Sequence, residues 1–144
     1  MNKQNLTIDG QDRETTVIDG DGHGIILHIA GDHNTIRQLT FRNGGEDFSF
    51  ENGSITAAIH VTGSSNNITD CLIVQNRMTL VIEGYRNLIM GNLFENNECL
   101  PSMLKEVAHG TFFARGFGVI TLHEAHGNTI QNNIIRHCSG SGIL

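Results

Sequence analysis

The sequence has few aromatic residues, little basic charge and no long apolar run. Its 144 residues include no tryptophan, one tyrosine and one proline. The formal net charge of −6 argues against a nucleic-acid partner, because neutralising phosphates requires a basic surface. No apolar stretch approaches the length that crosses a membrane, and the N-terminal residues Met1-Asn-Lys-Gln-Asn are too polar for a signal peptide. The sequence therefore predicts neither a nucleic-acid partner nor a membrane span.

Cysteine is scarce as well. The three cysteines, Cys71, Cys99 and Cys138, cannot all pair with one another, and no two of them have the close spacing of a metal site. Cys71 falls at an inward-facing position of the repeat described next. We expect it to pack as a small apolar residue.

A short pattern recurs four times along the chain: Asn-x-Ile, two further residues, then Asn, Leu or Cys followed by x-Ile or x-Phe. The copies begin at Asn34, Asn66, Asn87 and Asn128. Their spacings are 32, 21 and 41 residues, so a period of about 21 with two insertions accounts for all of them. The insertions are predicted near residues 44–54 and 98–117. Because one unit cannot bury its apolar side alone, the repeats must stack on each other.

Apolar residues alternate within each unit, as in Leu27-x-Ile29 and Ile59-x-Val61. A period of two indicates strands, about three short ones in each unit. Glycines such as Gly31, Gly63 and Gly84 separate the strands, where we expect turns with positive φ. These features predict a coil of strands and not a series of hairpins.

Stacked coils would place equivalent asparagines about 4.8 Å apart. Asn34, Asn66, Asn87 and Asn128 would then form a ladder of hydrogen-bonded side-chain amides. Asn92 and Asn133 are candidates for part of a second ladder, which Leu39 and Cys71 interrupt.

Several segments carry a resemblance to a known family. They are Leu6-Thr-Ile8-Asp-Gly10, Thr16-Val-Ile18-Asp-Gly20 and Ile36-Arg-Gln-Leu39-Thr-Phe41-Arg-Asn43-Gly44. On these residues the chain resembles, over essentially its whole length, the right-handed parallel β-helix repeat proteins of the pectate-lyase-like superfamily. The resemblance implies an all-β fold: a right-handed, single-stranded parallel β-helix of about four to five rungs with two inserted loops, forming one domain over residues 1–144.

Within that group, the order of elements is similar to the carbohydrate-binding and sugar-hydrolase repeat region, a version of which occurs in the periplasmic copper accessory protein of nitrous oxide reductase. Ala57-Ala-Ile59-His-Val61 and Arg115-Gly-Phe-Gly-Val119-Ile-Thr-Leu122 are the points of similarity. The resemblance implies a carbohydrate-binding or polysaccharide-modifying module; an enzyme of this kind would be a lyase, epimerase or glycoside hydrolase. The alternatives are a copper-handling accessory module and a structural or adhesion solenoid.

Both ends of the sequence begin or stop within a strand-like pattern. Open rungs indicate a segment of a longer solenoid, or ends covered by a partner, including end-to-end self-association. For such a segment, the resemblance implies an extracytoplasmic location.

One outward column on the predicted sheets is rich in histidine. It reads His28, His60, Val81 and, with a one-residue deletion, His123. Adjacent rungs would place His28 and His60 about 5 Å apart. Such a column could bind sugar hydroxyls, or copper or zinc, for which imidazole is a suitable ligand. The alternative is a solvated row of histidines with no ligand.

A second outward column, one residue after the inward Ile or Phe, reads Arg42, Gln75, Glu95 and Arg136. Lyases and epimerases that act on uronates need a base for the C5 proton and a cation for the charge that develops. Arg42 and Arg136 are the candidate cations, and Glu95 or a histidine is the candidate base. The alternative is a set of cross-strand charge pairs on a solvated face.

Two further clusters are candidates for ligand binding. Asp19-Gly-Asp21-Gly-His23 offers carboxylates suited to calcium, although tight turns also use Asp-Gly. Phe113 and Arg115 lie in the second insertion, where aromatic side chains could stack on pyranose rings or fold back over the core.

Overall fold

A computed structural model of the chain describes residues 1–45, 57–98 and 118–144. These ranges contain fifteen strands and no helix, and thus no helix that could span a membrane. The strands are β1 (Thr7–Asp9), β2 (Val17–Asp19), β3 (Leu27–Ile29), β4 (Thr35–Arg37), β5 (Thr40–Arg42), β6 (Ile59–Val61), β7 (Asn67–Thr69), β8 (Leu72–Val74), β9 (Leu80–Ile82), β10 (Leu88–Met90), β11 (Leu93–Glu95), β12 (Gly118–Leu122), β13 (Thr129–Gln131), β14 (Ile134–Arg136) and β15 (Ser141–Ile143).

The strands form three parallel sheets of five strands each. Sheet A has the order β1-β4-β7-β10-β13, sheet B the order β2-β5-β8-β11-β14, and sheet C the order β3-β6-β9-β12-β15. Consecutive strands lie in different sheets, and each strand pairs with the strand three places further along the chain. The described chain therefore winds through five rungs, which confirms the predicted all-β parallel β-helix.

Inward-facing residues form columns along the coil. On sheet A the column consists of isoleucines only: Ile8, Ile36, Ile68, Ile89 and Ile130. On sheet B the column alternates in size: Ile18, Phe41, Ile73, Phe94 and Ile135. Phe41 and Phe94 are fully buried, so the narrow interior accepts large rings when a smaller residue separates them.

Two connections between sheets B and C are much longer than the others. Five residues connect β8 to β9, whereas 16 connect β5 to β6 and 22 connect β11 to β12. Both long connections leave the coil at the same corner, on rungs 2 and 4. The predicted insertions fall in these connections, largely outside the described residues.

Asparagine side chains connect the rungs at the corner between sheets C and A. The Oδ1 atoms of Asn66, Asn87 and Asn128 accept hydrogen bonds from the backbone N–H of the equivalent asparagine one rung earlier, at 2.9, 2.8 and 2.7 Å. The Nδ2 of Asn87 donates to the carbonyl of Gly63 at 3.1 Å. The predicted ladder is confirmed. Its hydrogen bonds join side chains to backbone groups, whereas the prediction was that one side-chain amide would bond to the next.

The other two corners use the same device. Asn92 and Asn133 form the predicted second ladder, and Asn92 Oδ1 accepts the N–H of the buried Cys71 at 2.9 Å. Burial raises the pKa of the Cys71 thiol to about 11, as expected for an apolar core position. A third ladder, Asn76 to Asn97 at 3.0 Å, was missed. The five-residue spacing of Asn87, Asn92 and Asn97 was the signal for it, because each begins the next side of the same rung.

Glycines at the end of sheet C are required for a reason other than the predicted one. Gly31, Gly63 and Gly84 do not have positive φ. A Cβ on Gly63 would lie 2.1 Å from the Gly31 carbonyl oxygen, and one on Gly84 would lie 1.8 Å from the Gly63 oxygen. The rungs stack so closely at this corner that no side chain fits between them.

We predict that Asn87→Ala destabilises the fold by about 2–4 kcal/mol, because it leaves the buried Asn66 N–H and Gly63 carbonyl without their partners. Urea unfolding followed by circular dichroism measures the change. Asn67→Ala is the matched control, since Asn67 is the next residue after a ladder position and faces outward on β7. Equal unfolding midpoints for the two variants would contradict a stabilising role for the ladder.

Candidate functional site

The outer face of sheet C carries the histidine column that the sequence predicts. Its register aligns His28, His60, Val81 and Thr121, while their neighbours on each strand point into the core. The rings of His28 and His60 stack with centroids 5.1 Å apart and planes inclined by 17°. The expected proximity of these two histidines is confirmed.

The predicted position of His123 in this column is wrong. The register pairs Thr121 with Val81, and His123 comes two residues later. Aligning His123 with Val81 would put Glu124 in the place of the buried Ile82. The core therefore selects the observed register.

His123 instead belongs to a second file at the end of sheet C, together with Thr62 and Glu83. The N–H groups of these three residues donate to Ile29, Val61 and Ile82 of the preceding rung, respectively. Glu83 and Thr62 are not among the site residues predicted from the sequence. The available signal was that both lie two residues after a member of the histidine column.

Hydrogen bonds join the two files into one group, which we call the histidine cluster: His28, His60, Thr62, Glu83 and His123. The Glu83 carboxylate bridges His60 Nε2, at 2.8 Å, and His123 Nδ1, at 3.2 Å. His28 Nε2 lies 3.1 Å from Thr62 Oγ1. Four of the five side chains are thus oriented by a partner on an adjacent rung, and the fifth, Glu83, is held at both oxygens.

The side chains of the histidine cluster differ in their exposure to solvent. The side chain of His60 is 14% exposed and that of His123 is 54% exposed. Partial burial and the neighbouring His60 lower the pKa of His28 below its ordinary value of 6.5. At neutral pH His28 is therefore uncharged and offers one donor and one acceptor nitrogen.

The described residues do not form a metal centre. No group of three or more His, Cys, Asp or Glu side chains in the described ranges is placed to hold an ion. In the predicted calcium cluster, Asp19 Oδ1 accepts the N–H of Asp21 at 3.0 Å and the amide of Asn43 at 2.9 Å. Its Oδ2 accepts the Arg42 Nε at 2.7 Å, and these contacts, led by the Asp21 N–H, lower the pKa of Asp19 to about 2. Both carboxylate oxygens of Asp19 in the predicted calcium cluster thus already accept hydrogen bonds from the protein.

The charged column on sheet B consists of cross-rung ion pairs. The register reads Asp19, Arg42, Val74, Glu95 and Arg136. The predicted place of Gln75 is wrong, because Val74 follows the inward Ile73 and Gln75 lies at the corner with φ 53°.

Arg42 pairs with Asp19 at 2.7 Å, and Arg136 pairs with Glu95 at 2.9 Å. Val74 on rung 3 separates the two pairs. The structure therefore brings Glu95 and Arg136 together but leaves Arg42 apart from them. Phe113 and Arg115 lie outside the described residues.

The fold and the comparison with protein families agree. The chain matches the family described as the right-handed beta helix region over residues 2–144, and it belongs to that family. The membership establishes the right-handed winding that the resemblance implied. Searches of curated proteins and of solved structures gave no match.

We predict that acidification destabilises the fold through His28. Its pKa is lower in the folded than in the unfolded chain, so the stabilisation is complete above about pH 6.5 and is lost as the pH falls through the folded value. Proton NMR titration gives the pKa, and urea unfolding at a series of pH values gives the slope. His28→Gln should flatten that slope, and His23→Gln, at an exposed turn, should leave it unchanged. A folded pKa at or above 6.5 would disprove the prediction.

Proposed function

We propose that this chain is a carbohydrate-binding β-helix module whose binding face is the outer surface of sheet C. The histidine cluster is the observation that supports this proposal most strongly. Sugars present hydroxyl groups that both donate and accept hydrogen bonds. Neutral imidazole, a threonine hydroxyl and a carboxylate offer the complementary groups.

The orientation of these side chains favours ligand binding. Glu83 holds His123 through Nδ1, and about half of the His123 side chain is exposed. Stacking on His60 and the contact with Thr62 fix the ring of His28. Side chains that are already ordered lose little rotamer freedom on binding, so more of each new contact contributes to affinity.

The shape of the face also suits an extended polymer. Rungs repeat about every 4.8 Å, close to the length of one sugar unit in an extended chain. A polysaccharide along the coil would meet Thr62, Glu83 and His123 on successive rungs, whereas the column positions Val81 and Thr121 on rungs 3 and 4 are buried. Both long connections are followed along the chain by a strand of sheet C, β6 or β12.

Polysaccharide modification has narrower support. A lyase or epimerase needs a base and a cation side by side, and Glu95 with Arg136 is the pair on sheet B that combines them. That pair is also an ordinary surface ion pair, and Arg42 is engaged separately with Asp19. We therefore place binding on sheet C first and treat a lyase, epimerase or hydrolase activity at Glu95 and Arg136 as secondary.

A glycan array followed by calorimetry with the best oligosaccharide tests the proposal. We expect Glu83→Gln combined with Thr62→Val to weaken binding about tenfold, because each substitution removes a hydrogen-bonding group or its orientation. Arg42→Gln on sheet B is the control and should bind as the parent does. Silence across neutral and acidic glycans would overturn the proposal. Release of unsaturated product that is lost in Glu95→Gln would add a lyase activity.

A further inference from the structure

A groove of about 360 Å³ lies at the corner where the chain passes from sheet C to sheet A. Its lining residues are Ser64, Ser65, Tyr85, Arg86, His126 and Gly127. Gly84 alone separates Tyr85 from Glu83, so the groove borders the face that carries the histidine cluster. We call it the Tyr85 groove.

The groove contains a stack of rings that ends at Tyr85. The rings of Tyr85 and His126 lie on successive rungs with centroids 5.8 Å apart and planes inclined by 12°. One rung earlier the equivalent residue is Ser64, whose Oγ accepts the Tyr85 N–H at 3.3 Å. The ring of Tyr85 therefore packs on His126 with one face, and its other face is directed toward a small side chain. Tyr85 is 49% exposed.

Ser64 places no ring on this face of Tyr85, and both residues line the groove. In the next rung back, Asp32 accepts the Ser64 N–H through Oδ1 at 2.7 Å, which places a carboxylate on the far side of Ser64. A pyranose ring seated over Ser64 would continue the stack, with its C–H face on the tyrosine and its hydroxyls near Ser64 and Asp32. Aromatic faces are suited to such contacts because they combine a large apolar area with a negative π surface.

Arg86 supplies an available positive charge in the same groove. In the described ranges Arg13, Arg37, Arg42 and Arg136 are each paired with a carboxylate. Arg86 forms no ion pair within those ranges. A guanidinium in this condition binds a ligand carboxylate through two parallel hydrogen bonds without first giving up a protein partner.

We propose that the Tyr85 groove is a subsite for an acidic pyranose, a uronic acid residue that stacks on the free face of Tyr85 and places its carboxylate on Arg86. The inference rests on the proposed carbohydrate-binding function and narrows its ligand to uronate-containing glycans. It also makes the C–A corner part of the binding surface, next to the histidine cluster.

The composition of the chain provides a local probe. With one tyrosine and no tryptophan in the sequence, intrinsic tyrosine fluorescence comes from Tyr85 alone. We expect a saturable fluorescence change on titration with oligogalacturonate or oligomannuronate. Neutral galactose and mannose oligosaccharides of the same length should bind about tenfold more weakly, because they lack the carboxylate. Unchanged fluorescence with glycans that calorimetry shows to bind would overturn the subsite.

Three variants test the parts separately by calorimetry. Ser64→Phe fills the space over Tyr85 and should abolish binding of the acidic oligosaccharides. Arg86→Gln should lower their affinity about tenfold and remove the preference over neutral ones, whereas Arg37→Gln, with the same change of charge on sheet A, should not. Tyr85→Phe should bind as the parent does, since it keeps the ring.

The two proposals fail in different ways. Binding that depends on Glu83 and Thr62 but is unchanged in Ser64→Phe and Arg86→Gln would leave the carbohydrate function and remove this subsite. Absence of binding to any glycan would remove both. Equal affinity of the parent for acidic and neutral oligosaccharides would show that Arg86 does not select the ligand.

Discussion

Everything in this molecule depends on how the backbone groups at the corners of the coil are satisfied. Where the chain turns from one sheet to the next, an N–H group leaves the regular ladder and lies buried, and a buried donor without a partner is costly. Asparagine Oδ1 atoms from the following rung accept these donors at all three corners. Because each bond joins identical places on adjacent rungs, it fixes the register as well as the turn. The register then decides which outward side chains become neighbours.

The same register produces different surfaces on the three sheets. On sheets A and B the outward files bring opposite charges together, as in Asp9 with Arg37 and Glu95 with Arg136. Exposed pairs of this kind contribute at most about 1 kcal/mol, so they order the surface more than they stabilise the fold. On sheet C the files carry histidine, threonine and glutamate, which hydrogen-bond to one another across rungs. This difference is the reason to place recognition on sheet C.

The interior could be predicted from the sequence much more fully than the surface. Recurring asparagines and alternating apolar residues give the rungs, two of the ladders and the His28–His60 stack, since core packing and corner bonding allow one alignment there. After the long connection that contains residues 99–117, the repeat restarts with Val119 and Ile120. Shifting the alignment of this strand by two residues keeps the alternation of inward and outward positions. The sequence therefore did not distinguish His123 from Thr121 as the residue aligned with Val81. Tyr85 carries no signal of its own, and Glu83 carries only its place two residues after the histidine column, because outward residues do not constrain the fold and become neighbours only through the register.

The alternating column of sheet B limits how such a coil can change in length. Removing rung 3 alone would bring Phe41 directly against Phe94, and inserting a single copy would set two rings or two isoleucines face to face. Two adjacent rings overfill this side of the cylinder and two adjacent isoleucines underfill it, each at a cost of about 1–3 kcal/mol. Gain or loss of two rungs at once preserves the sequence of large and small residues. The interior thus imposes a parity rule: this solenoid can be lengthened or shortened by recombination in even steps far more readily than in odd ones.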